Sequence, residues 1–214
     1  MTPVQILQLA SEEESRIVQR VFLAGDDGKR TVIFTAADRG SGCTWLIARV
    51  AQRLAALVSG RVCVVDANLR WPAIHGMFRL DNDRGLLQAF AQRDPIRNFI
   101  QQVDDTRLWV LTSGGSVADS HGVLMSPKVR ERFNELAEQF DFILVDTPAM
   151  KASADSGLIG RLADGAVLVI AANTTKRDAA ENTKTILEAA SVPILGAVLN
   201  KRTYPVPDAL YRRL

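Results

Sequence analysis

Six short stretches, nearly unbroken in apolar and largely β-branched side chains, recur along the chain. They are "TVIFTAA" (31–37), "RVCVVDAN" (61–68), "LWVLTSG" (108–114), "FDFILVDT" (140–147), "GAVLVIAA" (165–172) and "PILGAVLN" (193–200). A strand with one wet face alternates apolar and polar residues, whereas a strand buried on both faces has no polar side to show. Runs of this kind suit strands of a parallel sheet covered on both sides. Helix-like segments separate them, at residues 44–58, 126–139, 154–162 and 176–190. Strand–helix alternation predicts an α/β fold: a doubly wound, mostly parallel sheet flanked by helices. An N-terminal helix is expected over "SEEESRIVQRVFLAG", with Ser11 as its cap and acidic residues in its first turn. No repeat or linker interrupts the pattern, so residues 1–200 read as one domain. Residues 201–214, "KRTYPVPDALYRRL", have little to bury and read as a mobile tail.

Composition narrows the function classes. A net charge of +2 with scattered basic residues gives no case for a nucleic-acid partner. No apolar run approaches the ~20 residues that span a bilayer, and the N-terminus lacks a signal-peptide pattern. A cytoplasmic protein is therefore expected, with any membrane role supplied by a partner. The two cysteines make neither a metal quartet nor a disulfide framework. Cys63 lies inside an apolar run and reads as core filler, while Cys43 falls in a loop.

Three motifs sit at the carboxyl ends of predicted strands, where open α/β sheets bind ligands. "ADRGSGCTW" (37–45) follows the first strand and opens a helix, the context a phosphate loop requires. Gly40 and Gly42 would let backbone N–H groups around Ser41 curl about an anion, aided by the helix N-terminus. Thr44 is placed to offer a hydroxyl to Mg²⁺. Cys43 stands where such a loop carries its phosphate-gripping lysine. In "VVDANLRWP" (64–72), Asp66 ends a strand beside the loop, followed by Asn68, Arg70 and Pro72. A carboxylate there could serve a metal-bound water or an attacking hydroxyl, and the alternative is a plain cap for the next segment. "FDFILVDTPAM" (140–150) places Asp146 after an apolar run, the Walker B arrangement that holds Mg²⁺.

With these residues in place, the chain resembles the cytoplasmic domain of bacterial tyrosine kinases (BY-kinases) of capsule and exopolysaccharide synthesis. These belong to the wider ParA/MinD-like group of P-loop ATPases. "FTAADRGSGCTWLIARVAQRLA" parallels the family's Walker A loop and helix. "VCVVDANLRWPAIHGMFRL" parallels its Asp-x-Asp-x-Arg-x-Pro segment, and "DRGLLQAF" a short helix after it. "LWVLTSGG" resembles a strand ending in paired glycines, and the stretch from "FDFILVDTPAM" to "NTTKRD" matches from the Walker B strand onward. The resemblance implies ATP and Mg²⁺ as cofactors, with Gly40, Ser41, Gly42, Cys43 and Thr44 around the phosphates. It also implies Thr44, Asp66 and Asp146 around the metal, and Asp66, Asn68 and Arg70 as the catalytic segment. "GAVLNKR" resembles the closing strand whose asparagine packs on the base, which makes Asn200 the adenine residue. Glu13 and Arg16 fit part of a Glu-x-x-Arg-x-x-Arg helix used in ring assembly, so a homo-oligomer contact is implied there; Gln19 departs from it. Tyr204 and Tyr211, the chain's two tyrosines, are the implied phosphoacceptors.

The departures shape the expected activity. Phosphoryl transfer depends on positioned positive charge at the γ-phosphate, and loss of one such contact costs on the order of 10²–10³ in rate. Cys43 supplies no charge, and Asn68 lacks the second carboxylate of its segment. Arg39 could reach the phosphates in compensation, although a solvated loop arginine is the plainer reading. The expectation is a pseudokinase or weakly active accessory of polysaccharide synthesis and export. Its implied partner is a separate membrane polysaccharide co-polymerase with a cytoplasmic tail, which would recruit it to the inner face of the membrane. The alternatives are an active tyrosine autokinase and a ParA/MinD-like positioning ATPase. The Arg and Pro of "DANLRWP" favour the polysaccharide branch.

Overall fold

All six apolar runs form strands of one sheet. The computed structural model describes residues 3–24 and 30–202. In chain order the elements are α1 (Pro3–Phe22), β1 (Arg30–Ala36), α2 (Cys43–Leu57), β2 (Val62–Asp66), α3 (Ile74–Phe78) and α4 (Leu86–Ala91). Then come β3 (Gln101–Gln102), β4 (Leu108–Leu111), α5 (Ser120–Leu124), α6 (Pro127–Gln139) and β5 (Phe142–Asp146). The last are α7 (Asp155–Gly160), β6 (Gly165–Ala171), α8 (Arg177–Ala189) and β7 (Ile194–Asn200). The strand order is β3-β4-β2-β5-β1-β6-β7, parallel throughout except for the antiparallel edge pair β3–β4.

Two apolar cores explain the unbroken runs. Along β1, Val32 and Phe34 face a core shared with Val18 and Phe22 of α1 and Ile47, Val50 and Leu54 of α2. Ile33, between them, faces the opposite core with Phe133 and Leu136 of α6, Ile159 of α7 and Leu187 of α8. Neither face of a central strand meets water, so neither carries a polar register. The connection β1–α2–β2 passes over the position of β5, which inserts between its two strands. The carboxyl ends of β1, β2 and β5 thereby open side by side, with Asp66 directly opposite Asp146. That is where a doubly wound sheet places a ligand crevice.

Two sequence expectations need correction. The first helix runs from Pro3, so Ser11 lies inside it rather than capping it; its carbonyl accepts the Ser15 hydroxyl. Nothing between Pro3 and Ser11 breaks a helix, and proline is well placed at a first helical position. The run from Leu108 supports a strand only to Leu111, because Gly114 and Gly115 take positive φ and turn the chain. The two-residue β3 had no apolar run to announce it. The four helices expected between the strands, α2, α6, α7 and α8, begin and end within two residues of their expected bounds, and Ser126 caps α6 by accepting the Lys128 N–H. No helix among the described residues is long and apolar enough to cross a membrane.

Candidate nucleotide site

The turn after β1 is held open by backbone geometry. Gly40 and Gly42 have φ of 79° and 81°, left-handed values that side-chain-bearing residues avoid. A β-carbon on Gly42 would lie 2.5 Å from Nδ2 of Asn200, so the end of β7 also requires a glycine there. Ser41 is buried between them, its hydroxyl donating to the Asp38 carbonyl at 2.7 Å. Asn200 Nδ2 donates to the Ser41 carbonyl at 2.9 Å, and Lys201 Nζ to the Gly40 carbonyl at 2.6 Å. Strands that are far apart in sequence thus meet at the loop: β1 leads into it, and the end of β7 closes over it.

Beneath the loop lies a pair of buried carboxylates. Thr44, in the first turn of α2, donates its hydroxyl to Asp146 Oδ2 at 2.7 Å. The other oxygen, Oδ1, is buried with no hydrogen-bond partner. Burial and the neighbouring Asp66 charge push the Asp146 carboxyl up to about 8, against the hydrogen bonds from Thr44 and Cys43. Asp66 is raised less, to about 6, because N–H groups offset its burial. Its oxygens accept from Asn68 at 3.3 Å, and from Ala73 and Ile74 each at 3.0 Å. These contacts are those of a cap for the segment entering α3, and they leave a carboxylate with lone pairs to spare. Cys43 is half-buried, and its thiol is pushed well up by burial and then by Asp146, so it stays neutral.

The Thr44 hydroxyl, the orphaned Asp146 oxygen beside it and a loop opened by two left-handed glycines fit Mg²⁺ and a phosphate chain. Mg²⁺ uses one or two carboxylates and keeps water or phosphate oxygens for its remaining positions. Thr44 and Asp146 would hold it here, and the metal would neutralise phosphate charge.

The remaining candidates fall around this centre or apart from it. Asn68 keeps its Oδ1 buried and unpartnered near Asp66. Arg70 is engaged elsewhere: its Nε donates to Ser120 Oγ at 2.8 Å, and that hydroxyl donates to the buried Asp155. Arg39 stacks on the Trp71 ring at 3.8 Å, and Lys151 pairs with Asp38 at 3.5 Å. Glu13 and Arg16 bond each other at 2.6 Å on the exposed side of α1. Tyr204 and Tyr211 lie outside the described residues. Sequence reasoning missed the Arg70–Ser120–Asp155 chain, because "ASADSG" carries no motif and Ser120 lies 35 residues before Asp155. It also passed over Lys201, whose neighbour Asn200 took the attention.

Comparison with known proteins agrees with this architecture. No family model matches the chain. The tyrosine-protein kinase YwqD of Bacillus subtilis is 31% identical over 179 residues, covering 84% of this chain and 75% of YwqD. The chain belongs to the bacterial tyrosine kinase family. The putative tyrosine-protein kinase CapB of Staphylococcus aureus is 29% identical over 85% of this chain and 79% of its own. Among solved structures, the kinase domain of the Escherichia coli tyrosine kinase ETK shares 26% identity at a TM-score of 0.84, covering 92% of this chain and 78% of that one. The MinD cell-division ATPase of Pyrococcus furiosus has the same P-loop fold, with a TM-score of 0.69 at 22% identity over 82% of this chain and 76% of that one. In this member of the family, Cys43 follows the left-handed Gly42 and opens α2, at the position where the resemblance leads one to expect a lysine.

Proposed function

We propose that this BY-kinase domain binds Mg²⁺–ATP but turns it over little or not at all. In this reading it serves as an accessory of exopolysaccharide or capsule synthesis and export. The carrying observation is the neutral Cys43 thiol in a loop that otherwise keeps both left-handed glycines and the Thr44–Asp146 contact. Gly40, Ser41, Gly42 and Thr44 receive the phosphates, Thr44 and Asp146 the metal with Asp66 beside them, and Asn200 the base. Without the lysine, the charge developing on the transferred phosphoryl group has no partner from within the loop, and Asn68 offers no second carboxylate. The domain then acts through a separate membrane co-polymerase at the inner face of the membrane, by occupancy of its site rather than by catalysis. The second reading, an active tyrosine autokinase, draws on the kinase names of the relatives and on the retained metal pair.

Phosphate-release and radiolabel assays with Mg²⁺–ATP separate the two. Expected is hydrolysis and self-phosphorylation at least a hundredfold below kinase rates of about 1–100 s⁻¹. Turnover within that range, abolished by Asp146→Ala, overturns the pseudokinase reading. Any phosphotyrosine must then map to Tyr204 or Tyr211, since the chain has no other tyrosine.

A further inference from the structure

The loop lacks its lysine, yet an ammonium group already lies on it. Lys201 follows the last residue of β7, and its Cε passes 3.5 Å from where a Gly42 β-carbon would stand. Its Nζ then reaches the Gly40 carbonyl at 2.6 Å. The backbone of Lys201 is itself left-handed, with φ of 57°, a conformation that costs a side-chain-bearing residue energy. That bend, together with the Asn200–Ser41 bond, aims the side chain back over the loop instead of onward along the strand. Strain of this kind persists only where surrounding contacts over-determine it.

The other cations at the loop are committed. Arg39 is stacked on Trp71, and Lys151 is paired with Asp38. Lys201 makes no ion pair among the described residues, and one carbonyl engages only one of its three N–H donors. We propose that Lys201 supplies, from the end of β7, the phosphate-binding cation that the loop lacks at position 43. Its ligand is the terminal phosphate group of a bound nucleoside triphosphate. This assignment rests on the nucleotide reading above and goes beyond it by naming the compensating residue. A lysine placed there contributes in the ground state, so it serves binding whether or not phosphoryl transfer follows.

Calorimetric titration of the full chain with Mg²⁺–ATP and with AMP tests it, for wild type, Lys201→Met, Lys201→Arg, Cys43→Lys and the Cys43→Lys/Lys201→Met double variant. Circular dichroism checks that each is folded. Lys201→Met is expected to weaken ATP binding about ten- to hundredfold, the scale of a charge-assisted hydrogen bond, and AMP binding less than twofold. Lys201→Arg should keep most of the ATP affinity. With Cys43→Lys present, a second cation reaches the phosphates, and Lys201→Met should cost less than threefold. Equal ATP affinities of wild type and Lys201→Met overturn the assignment while leaving the nucleotide reading intact. So does an equal loss for ATP and AMP, which marks a lysine that merely holds the loop. A wild type that binds neither nucleotide removes the nucleotide reading, and the role of Lys201 with it.

Discussion

Asp146 and Asp66 stand side by side at the ends of β5 and β2, in a site where neither can shed its charge into water. An acid whose carboxyl is raised on folding binds more protons in the native state than in the unfolded one. Its contribution to stability is therefore full at low pH and is lost as pH rises. For Asp146 the window runs from the ordinary aspartate value of about 4 up to about 8. Asp146→Asn removes the buried charge, and its amide oxygen can still accept from Thr44. The nucleotide-free variant should therefore be more stable than wild type at pH 8, by roughly 1–3 kcal/mol, with the difference shrinking steadily as pH falls and gone only below about pH 4. Thermal unfolding across this pH range measures this, at about 2–4 °C per kcal/mol for a chain of this size. A variant less stable at pH 8 would mean that the carboxylate is satisfied without metal. The identities of Asp66, Asp146, Thr44 and Cys43 as site candidates were legible in sequence, because each ends a strand or opens a helix at a recognisable motif. Their coupling was not, because it depends on β5 inserting between β1 and β2.

At the scale of elements, α1 has two acidic neighbours with different physical roles. Glu14 is buried against α2, where Arg49 Nε donates to it at 2.8 Å. Glu13 is exposed and pairs with Arg16 within the same helix. Removing Glu14 takes two hydrogen bonds from an Arg49 that solvent can still reach, whereas an exposed pair three residues apart contributes little. Glu14→Ala should cost about 0.5–1.5 kcal/mol in urea unfolding, and Glu13→Ala/Arg16→Ala less than about 0.5 kcal/mol. Light scattering on the double variant bears on the proposed oligomer contact: a fall in molar mass without loss of stability supports it, and an unchanged mass disposes of it. From sequence, all three acidic residues of "SEEES" looked alike, because the helix phase that buries one and exposes its neighbour is set by packing on α2. The start of α1 was likewise misplaced, since Ser11 offers a cap that the uninterrupted helix before it does not need.

Across the whole molecule, binding at one crevice should stabilise the entire sheet, because the loop after β1 and the end of β7 are joined there. A ligand at a hundred times its Kd adds about 2.7 kcal/mol to a folded state that alone binds it. Mg²⁺–ATP should then raise Tm by roughly 5–11 °C, and EDTA with ATP by much less. An unchanged Tm at millimolar Mg²⁺–ATP would count against a retained nucleotide site. The amino-acid sequence by itself determined the doubly wound fold, the family and the positions of the three motifs. Such features are written locally: apolar runs fix which segments are buried on both faces, and glycines and strand-end carboxylates mark the turns between them. Only the tertiary structure decided what each motif touches. Lys201 comes from the far end of the chain to lie on Gly40, and Arg70 turns to Ser120 rather than to the loop. Contacts of this kind depend on strand order and on single backbone angles, such as the left-handed φ at Lys201, which residue type does not encode.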